Sequence, residues 1–240
     1  MDLFYVIMPT MERLLALDTE TTGLRISEGH RIIEVAAIEI LDREITGSMF
    51  HEFIQPNRTV GESVNVHRIT DRDLINKPQF KQISDDFLSF IEGATLVIHN
   101  APFDLGFLNN ELQIIGITKK IESMCKIIDT IELSKKQRPG GLHTQDAIAR
   151  RFDIDVESRR ILRNGKYEKD HGALKDAQIL AKMYLAMTAG QFNLALETGN
   201  TESNQSDPSL IKRVKENRNK IKVIYANENE LESHKNYFQN

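Results

Sequence analysis

The sequence predicts an α/β fold in which a mixed β-sheet is flanked by helices and followed by a flexible linker and a short C-terminal docking tail. Three observations predict it. Apolar runs of strand length come first, at 13–18, 32–41 and 50–55, joined by short polar links, which reads as an antiparallel meander. Beyond residue 84, short apolar strands alternate with helical periodicity, and that alternation places helices over a sheet. The composition then shifts at residue 197 to a stretch with no apolar side chain.

The elements follow in order. The run Leu14-Leu15-Ala16-Leu17 ends in Asp18-Thr19-Glu20, and Thr21-Thr22-Gly23 reads as a turn. Ile32 to Leu41 is a second strand, with Glu34 either buried or at its start. Phe50 to Gln55 is a third, closed by Pro56-Asn57. A short helix is expected at 71–75 with Thr70 as N-cap, and another at 84–91 with Phe87, Leu88 and Ile91 inward. Thr95 to Ile98 is a short buried strand running into His99-Asn100-Ala101-Pro102-Phe103-Asp104. Leu105, Leu108 and Leu112 mark a helix over 105–115. Lys126 to Asp129 begins another strand-to-helix transition. Residues 142–152 form an amphipathic helix, and 154–170 are expected to be polar and irregular. The clearest helix is 173–187, with Ala173, Ala177, Leu180, Ala181 and Tyr184 on one face. These elements define a catalytic-sized domain at 1–190, a linker at 191–208 and a tail at 209–240. The tail is too small to fold stably alone, so docking onto a partner is its expected use.

Bulk properties exclude several classes. With 240 residues and 40% hydrophobic content, the chain can bury a sizeable core. A net charge of −4 argues against coating a polyanion, so contact with nucleic acid needs a local basic patch or metals. The single cysteine, Cys125, fits a reducing compartment. No run of about 18 apolar residues exists, and Leu3 to Met8 is too short and lacks basic residues for a signal segment. A cytoplasmic protein without membrane contact is the expectation.

Asp18 and Glu20 are two apart on a strand, so they project to the same side. Two carboxylates so placed repel unless they share a proton or a divalent metal, though solvated acids at a strand end are also common. Asp104 follows a buried strand. Asp176 shares a face with Ala173 and Leu180, where an acid is costly unless paired or metal-bound. His171 stands at the opening of that helix. Four acids and one histidine are what two divalent metals and an activated water need. In such sites the ions lie about 3.5–4 Å apart and clamp both oxygens of a phosphoryl displacement. Oxygen ligands suit Mg²⁺ or Mn²⁺, and histidine titrates near working pH, which suits a general base.

Asp18-Thr-Glu-Thr-Thr-Gly23, Asn100-Ala-Pro-Phe-Asp104 and His171-Gly-Ala-Leu-Lys-Asp176 resemble the three motifs of the DEDDh exonuclease family, in the same order. Within it, the similarity runs from about Arg13 through the tail toward the proofreading subunits of bacterial DNA polymerase III. The resemblance implies a ribonuclease-H-like fold and metal-dependent 3′→5′ hydrolysis of single-stranded or frayed DNA ends. It implies that Asp18 bridges two metals, that Glu20 and Asp176 bind the one that activates water, and that Asp104 holds the second through water. His171 would be the base. The terminal-nucleotide pocket would fall on Thr21, Thr22, Glu62, His67 and Phe103, beside Asp18, Glu20 and Asp176. His99 and Asn100 are expected to be structural.

The chain departs from the family at three places. Arg68 stands where the family often has glycine, the segment 158–170 is longer than expected, and the first ten residues have no counterpart. Arg159, Arg160, Arg163, Lys166 and Lys169 in that long segment could grip DNA or form a solvated insertion. Gln191, Leu194 and Leu196 resemble a sliding-clamp-binding peptide, with a fraying helix end as the alternative. The tail resembles the family's segment for the polymerase alpha subunit. A small accessory subunit is a further candidate partner. Two rival readings are a stand-alone nuclease on RNA or short DNA ends and a non-catalytic scaffold between polymerase and clamp. The tail argues against the first, and the complete acid set against the second.

Overall fold

A computed structural model of the chain describes residues 12–156, 160–163, 166–169 and 172–189. The chain divides into two units, residues 1–197 and 198–240, and all described residues belong to the first. Strands β1 (Leu14–Thr21), β2 (Ile32–Leu41) and β3 (Glu44–Phe53) form the antiparallel meander. Strands β4 (Thr95–Ile98) and β5 (Lys126–Asp129) add in parallel on the other side of β1. The resulting five-stranded mixed sheet has the order β3-β2-β1-β4-β5, so β1 is central. Helices α1 (Val64–His67), α2 (Phe80–Ile91), α3 (Ala101–Ile114), α4 (Thr130–Gln137), α5 (Gln145–Arg151) and α6 (Ala173–Thr188) surround it. This is the ribonuclease-H-like arrangement, a mixed sheet with helices packed on it.

The alternation of β1 sorts the packing. Leu15 and Leu17 face α2 and α3, in a core with Phe80, Phe87, Phe107 and Leu108. Leu14 and Ala16 face the opposite way, against Leu180, Ala181 and Met183 of α6. Ala36 and Ile38 of β2 meet Ala173 and Ala177 there. Alanine meets alanine at this contact, which lets helix and sheet approach closely. A smaller cluster of Ile33, Val60, Ile69 and Leu74 anchors the connection between β3 and α2.

Several boundaries differ from the sequence expectation. Strand β3 starts six residues before Phe50, because Asp42 and Arg43 both take positive φ (49° and 65°) and close a two-residue hairpin. Residues 71–75 form turns instead of a helix. Thr70 N and Oγ1 both donate to Asp73 Oδ2 (2.8 and 2.6 Å), and such local side-chain bonds compete with helix. Helix α2 begins at Phe80, four residues early: Gln82 Oε1 accepts from Gln79 N at 2.8 Å, and buried Ser84 lies inside the helix. Between α5 and α6 the expected irregular segment contains an antiparallel pair, β6 (Arg160–Arg163) with β7 (Lys166–Lys169). Among the described residues, no helix is long and apolar enough to cross a membrane.

Candidate active site

Asp18 and Glu20 sit at the end of β1, and Asp176 in the first turn of α6. One carboxylate oxygen of each lies within 4.8 Å of the others. Strand alternation aims Asp18 and Glu20 at α6, and the alanine contact brings Asp176 down to meet them. Gln145 Nε2 donates to the Asp176 carbonyl at 2.9 Å, and Asp176 N donates to the Gly172 carbonyl at 3.0 Å, so the helix turn carrying this acid is fixed. Three carboxylates this close are stable together when a cation or proton joins them. An all-oxygen donor set on rigid elements fits a hard divalent ion such as Mg²⁺ or Mn²⁺.

Asp104 lies in the first turn of α3, outside that trio. Its Oδ1 accepts from Thr19 Oγ1 at 2.7 Å, and Thr19 points to the face opposite Asp18 and Glu20. Burial pushes the Asp104 carboxyl up to about 7, outweighing the Thr19 hydrogen bond, and the charge of Asp129 adds to the rise. Asp129 orders this corner. Its Oδ2 accepts from Ala101 N at 3.0 Å and its Oδ1 from Ile131 N at 2.8 Å, so one side chain caps both α3 and α4.

A cavity of about 550 Å³ opens beside the acids. Glu20, Thr21, Thr22, Glu62, His67 and Phe103 all line it, which brings the expected nucleotide-pocket residues together. His67 is buried, and burial lowers its pKa against the pull of Glu34 and the Thr21 backbone. Its Nδ1 accepts from Ile69 N at 3.0 Å, so the neutral ring carries its proton on Nε2. That Nε2 is buried and makes no hydrogen bond among the described residues. The Thr21 backbone draws on this ring without completing a hydrogen bond of full geometry to Nε2. Arg68, next in the chain, closes α1 at φ 65°, a left-handed conformation that glycine adopts without strain.

His171, Gln191, Leu194 and Leu196 lie outside the described residues. The sequence reading missed Glu34 and His51 as parts of the site's surroundings, along with Leu24 and Arg58 at the cavity. The one available signal was Glu34 among the apolar residues that open β2.

Comparison with known proteins fits this geometry. The sequence profile of the Exonuclease family (RNase_T) matches residues 15–184, and the chain belongs to that family. The chain is similar to curated DNA polymerase III epsilon subunits over nearly its whole length. It is 39% identical to that of Escherichia coli K12 over 92% of this chain and 90% of the relative. For Buchnera aphidicola of Schizaphis graminum the identity is 40%, over 97% and 98%. Among solved structures, the fold is shared with the nuclease domain of 3′hExo, a DEDDh family member bound to rAMP. There the TM-score is 0.59 at 16% identity, covering 75% of this chain and 94% of that one. Exonuclease X in complex with 5′-overhanging duplex DNA gives a TM-score of 0.54 at 22% identity, covering 76% and 93%.

Proposed function

We infer that this chain is the proofreading 3′→5′ exonuclease of a bacterial DNA polymerase III, its epsilon subunit, and that it removes mispaired 3′ ends by two-metal hydrolysis. The observation that carries the reading is the Asp18–Glu20–Asp176 trio beside a cavity lined by Glu62, His67 and Phe103.

Asp18, Glu20 and Asp176 would hold one Mg²⁺ or Mn²⁺. Asp18 and Asp104 would hold a second ion. When bound, such ions supply Lewis acidity that neutralises charge building on the transferred phosphoryl group. His171 accepts a proton from the attacking water. The water oxygen bonds to phosphorus as the bond from phosphorus to the penultimate 3′ oxygen breaks, releasing a nucleoside 5′-monophosphate, and that 3′ oxygen takes a proton from solvent to leave a new 3′-hydroxyl. Phe103 supplies an aromatic face for the terminal base, as stacking is sequence-tolerant. Glu62 accepts from the terminal 3′-hydroxyl, and His67 donates from Nε2. Thr21 and Thr22 line the same pocket. Selectivity arises upstream of chemistry, because a mispaired end costs less to unpair.

The partners follow from the same reading: the polymerase alpha subunit through 209–240, and the sliding clamp through Gln191, Leu194 and Leu196. A tether of this kind raises local concentration near the primer end. A small accessory subunit and a cytoplasmic location complete the proposal. The test is cleavage of a primer-template with a mispaired 3′ end, beside a matched control, with Mg²⁺ or Mn²⁺ and then with chelator. Metal-dependent shortening that is faster on the mispaired primer and largely lost in His171→Ala supports the reading. No shortening with either metal overturns it.

A further inference from the structure

We propose that Glu34 is a positioning residue for catalysis, setting the His171 end of α6 from strand β2. The proposal rests on His171 acting as the base. Glu34 is 3% exposed and lies directly opposite Glu20 in the β1–β2 register, on the same face of the sheet as the acids. Its Oε2 accepts from Ala173 N at 3.0 Å, and its Oε1 is 2.8 Å from His51 Nε2. A carboxylate accepts at both oxygens, so His51 donates.

The geometry is unusual for a helix cap. Ser, Thr, Asp or Asn normally caps a helix from the residue just before it. Here that residue is Gly172, which has no side chain to offer, and Glu34 reaches the helix from 139 residues away. The bond therefore ties the start of α6 to the metal-bearing sheet. It also places a carboxylate at the positive end of the helix. His171 is two residues before Ala173 in the chain, so the tether is its close neighbour in sequence. Movement of the tether shifts the base relative to Asp18 and Glu20.

Glu34→Gln tests this. An amide accepts at one position and presents a donor at the other, so both contacts survive only if His51 shifts to the tautomer that accepts at Nε2, and otherwise one of them is lost. The expected result is a fall in kcat of about 10²-fold, the cost of roughly 1 Å misplacement, with KM for a mispaired primer within about threefold of wild type. A cap that serves stability alone leaves kcat per folded molecule unchanged. The decisive readout is the double variant. In a His171→Ala background, Glu34→Gln should cost less than about threefold more, because both changes disable one unit. An equal loss in both backgrounds, or a wild-type kcat in Glu34→Ala, which removes the acceptor from Ala173 N outright, overturns the proposal. His51→Leu removes the neighbour that orients Glu34 without touching α6. It should give the same signature at about tenfold, and it serves if Glu34→Gln does not fold; a wild-type kcat there overturns the proposal equally. A fully active His171→Ala protein instead overturns the assignment of the base, a result distinct from failure of Glu34.

Discussion

The two faces of the central strand are built for different ends. On one, Leu15 and Leu17 meet Phe80, Phe87 and Phe107 of the facing helices. On the other, Ala16 and Ala36 meet α6 through Ala173, Ala177 and Ala181. Large rings fill volume and stabilise through buried area. Small side chains fill little, and their use is proximity: they let a helix carrying Asp176 come within reach of Asp18 and Glu20. From Leu17 to Glu20, β1 thus ends one face in Leu17 and the Thr19–Asp104 hydrogen bond and the other in the Asp18 and Glu20 carboxylates. Stability concentrates on the first face and chemistry on the second.

Paired substitutions break that comparison most sharply. Ala177→Leu should cost about 1–3 kcal/mol by overpacking. By pushing α6 outward it should also lower kcat by about 10²-fold. Phe87→Ala should cost more stability, about 3–5 kcal/mol, yet leave kcat per folded molecule near wild type. Denaturant unfolding and single-turnover cleavage, run on both variants, check the crossing of effects. Equal catalytic losses would show that the two faces are not specialised.

Phe103→Ala sharpens the contrast between the acids and the nucleotide cavity. Loss of one stacked ring should raise KM for a single-stranded primer by about tenfold, with metal binding unchanged. Steady-state cleavage and a Mn²⁺ titration of the same variant separate these effects.

The smallest effect concerns pH. Asp104 has a folded pKa raised to about 7, above the ordinary carboxylate value of about 3.9. A raised folded pKa means that the folded state binds the proton more tightly. Its contribution to stability is fully present below pH ~4 and is lost as pH rises through about 7. Metal-free protein should therefore unfold at a lower temperature at pH 8 than at pH 5, and Asp104→Asn should reduce that difference. An unchanged pH slope in the variant would contradict the burial argument.

Much of this was legible in the sequence because the signals were local. The apolar runs gave β2, β4 and β5 at their observed bounds, and alanine periodicity gave α6 to within one residue. Asp18 and Glu20 shared a face by strand parity alone. What escaped depended on partners far along the chain or on solvent. The first half of β3 is an exposed edge, so Glu44 to Met49 carries no burial pattern. The β6–β7 pair went unread although Asn164-Gly165, a strong hairpin dipeptide, lies between its strands. Glu34 looked like a strand acid because its meaning lies in Ala173, on another element. Asp129 was seen as the end of a strand, while its work is to cap two helices at once.

The central claim is that the alanine face of the sheet seats a divalent metal on Asp18, Glu20 and Asp176. Counting Mn²⁺ bound per chain by electron paramagnetic resonance, for wild type and Asp176→Ala at equal folded concentration, tests it most directly. The account predicts saturable binding in wild type that is weakened by about tenfold or more when Asp176 is removed, since three carboxylates are reduced to two. Equal Mn²⁺ affinity in the two proteins would contradict it.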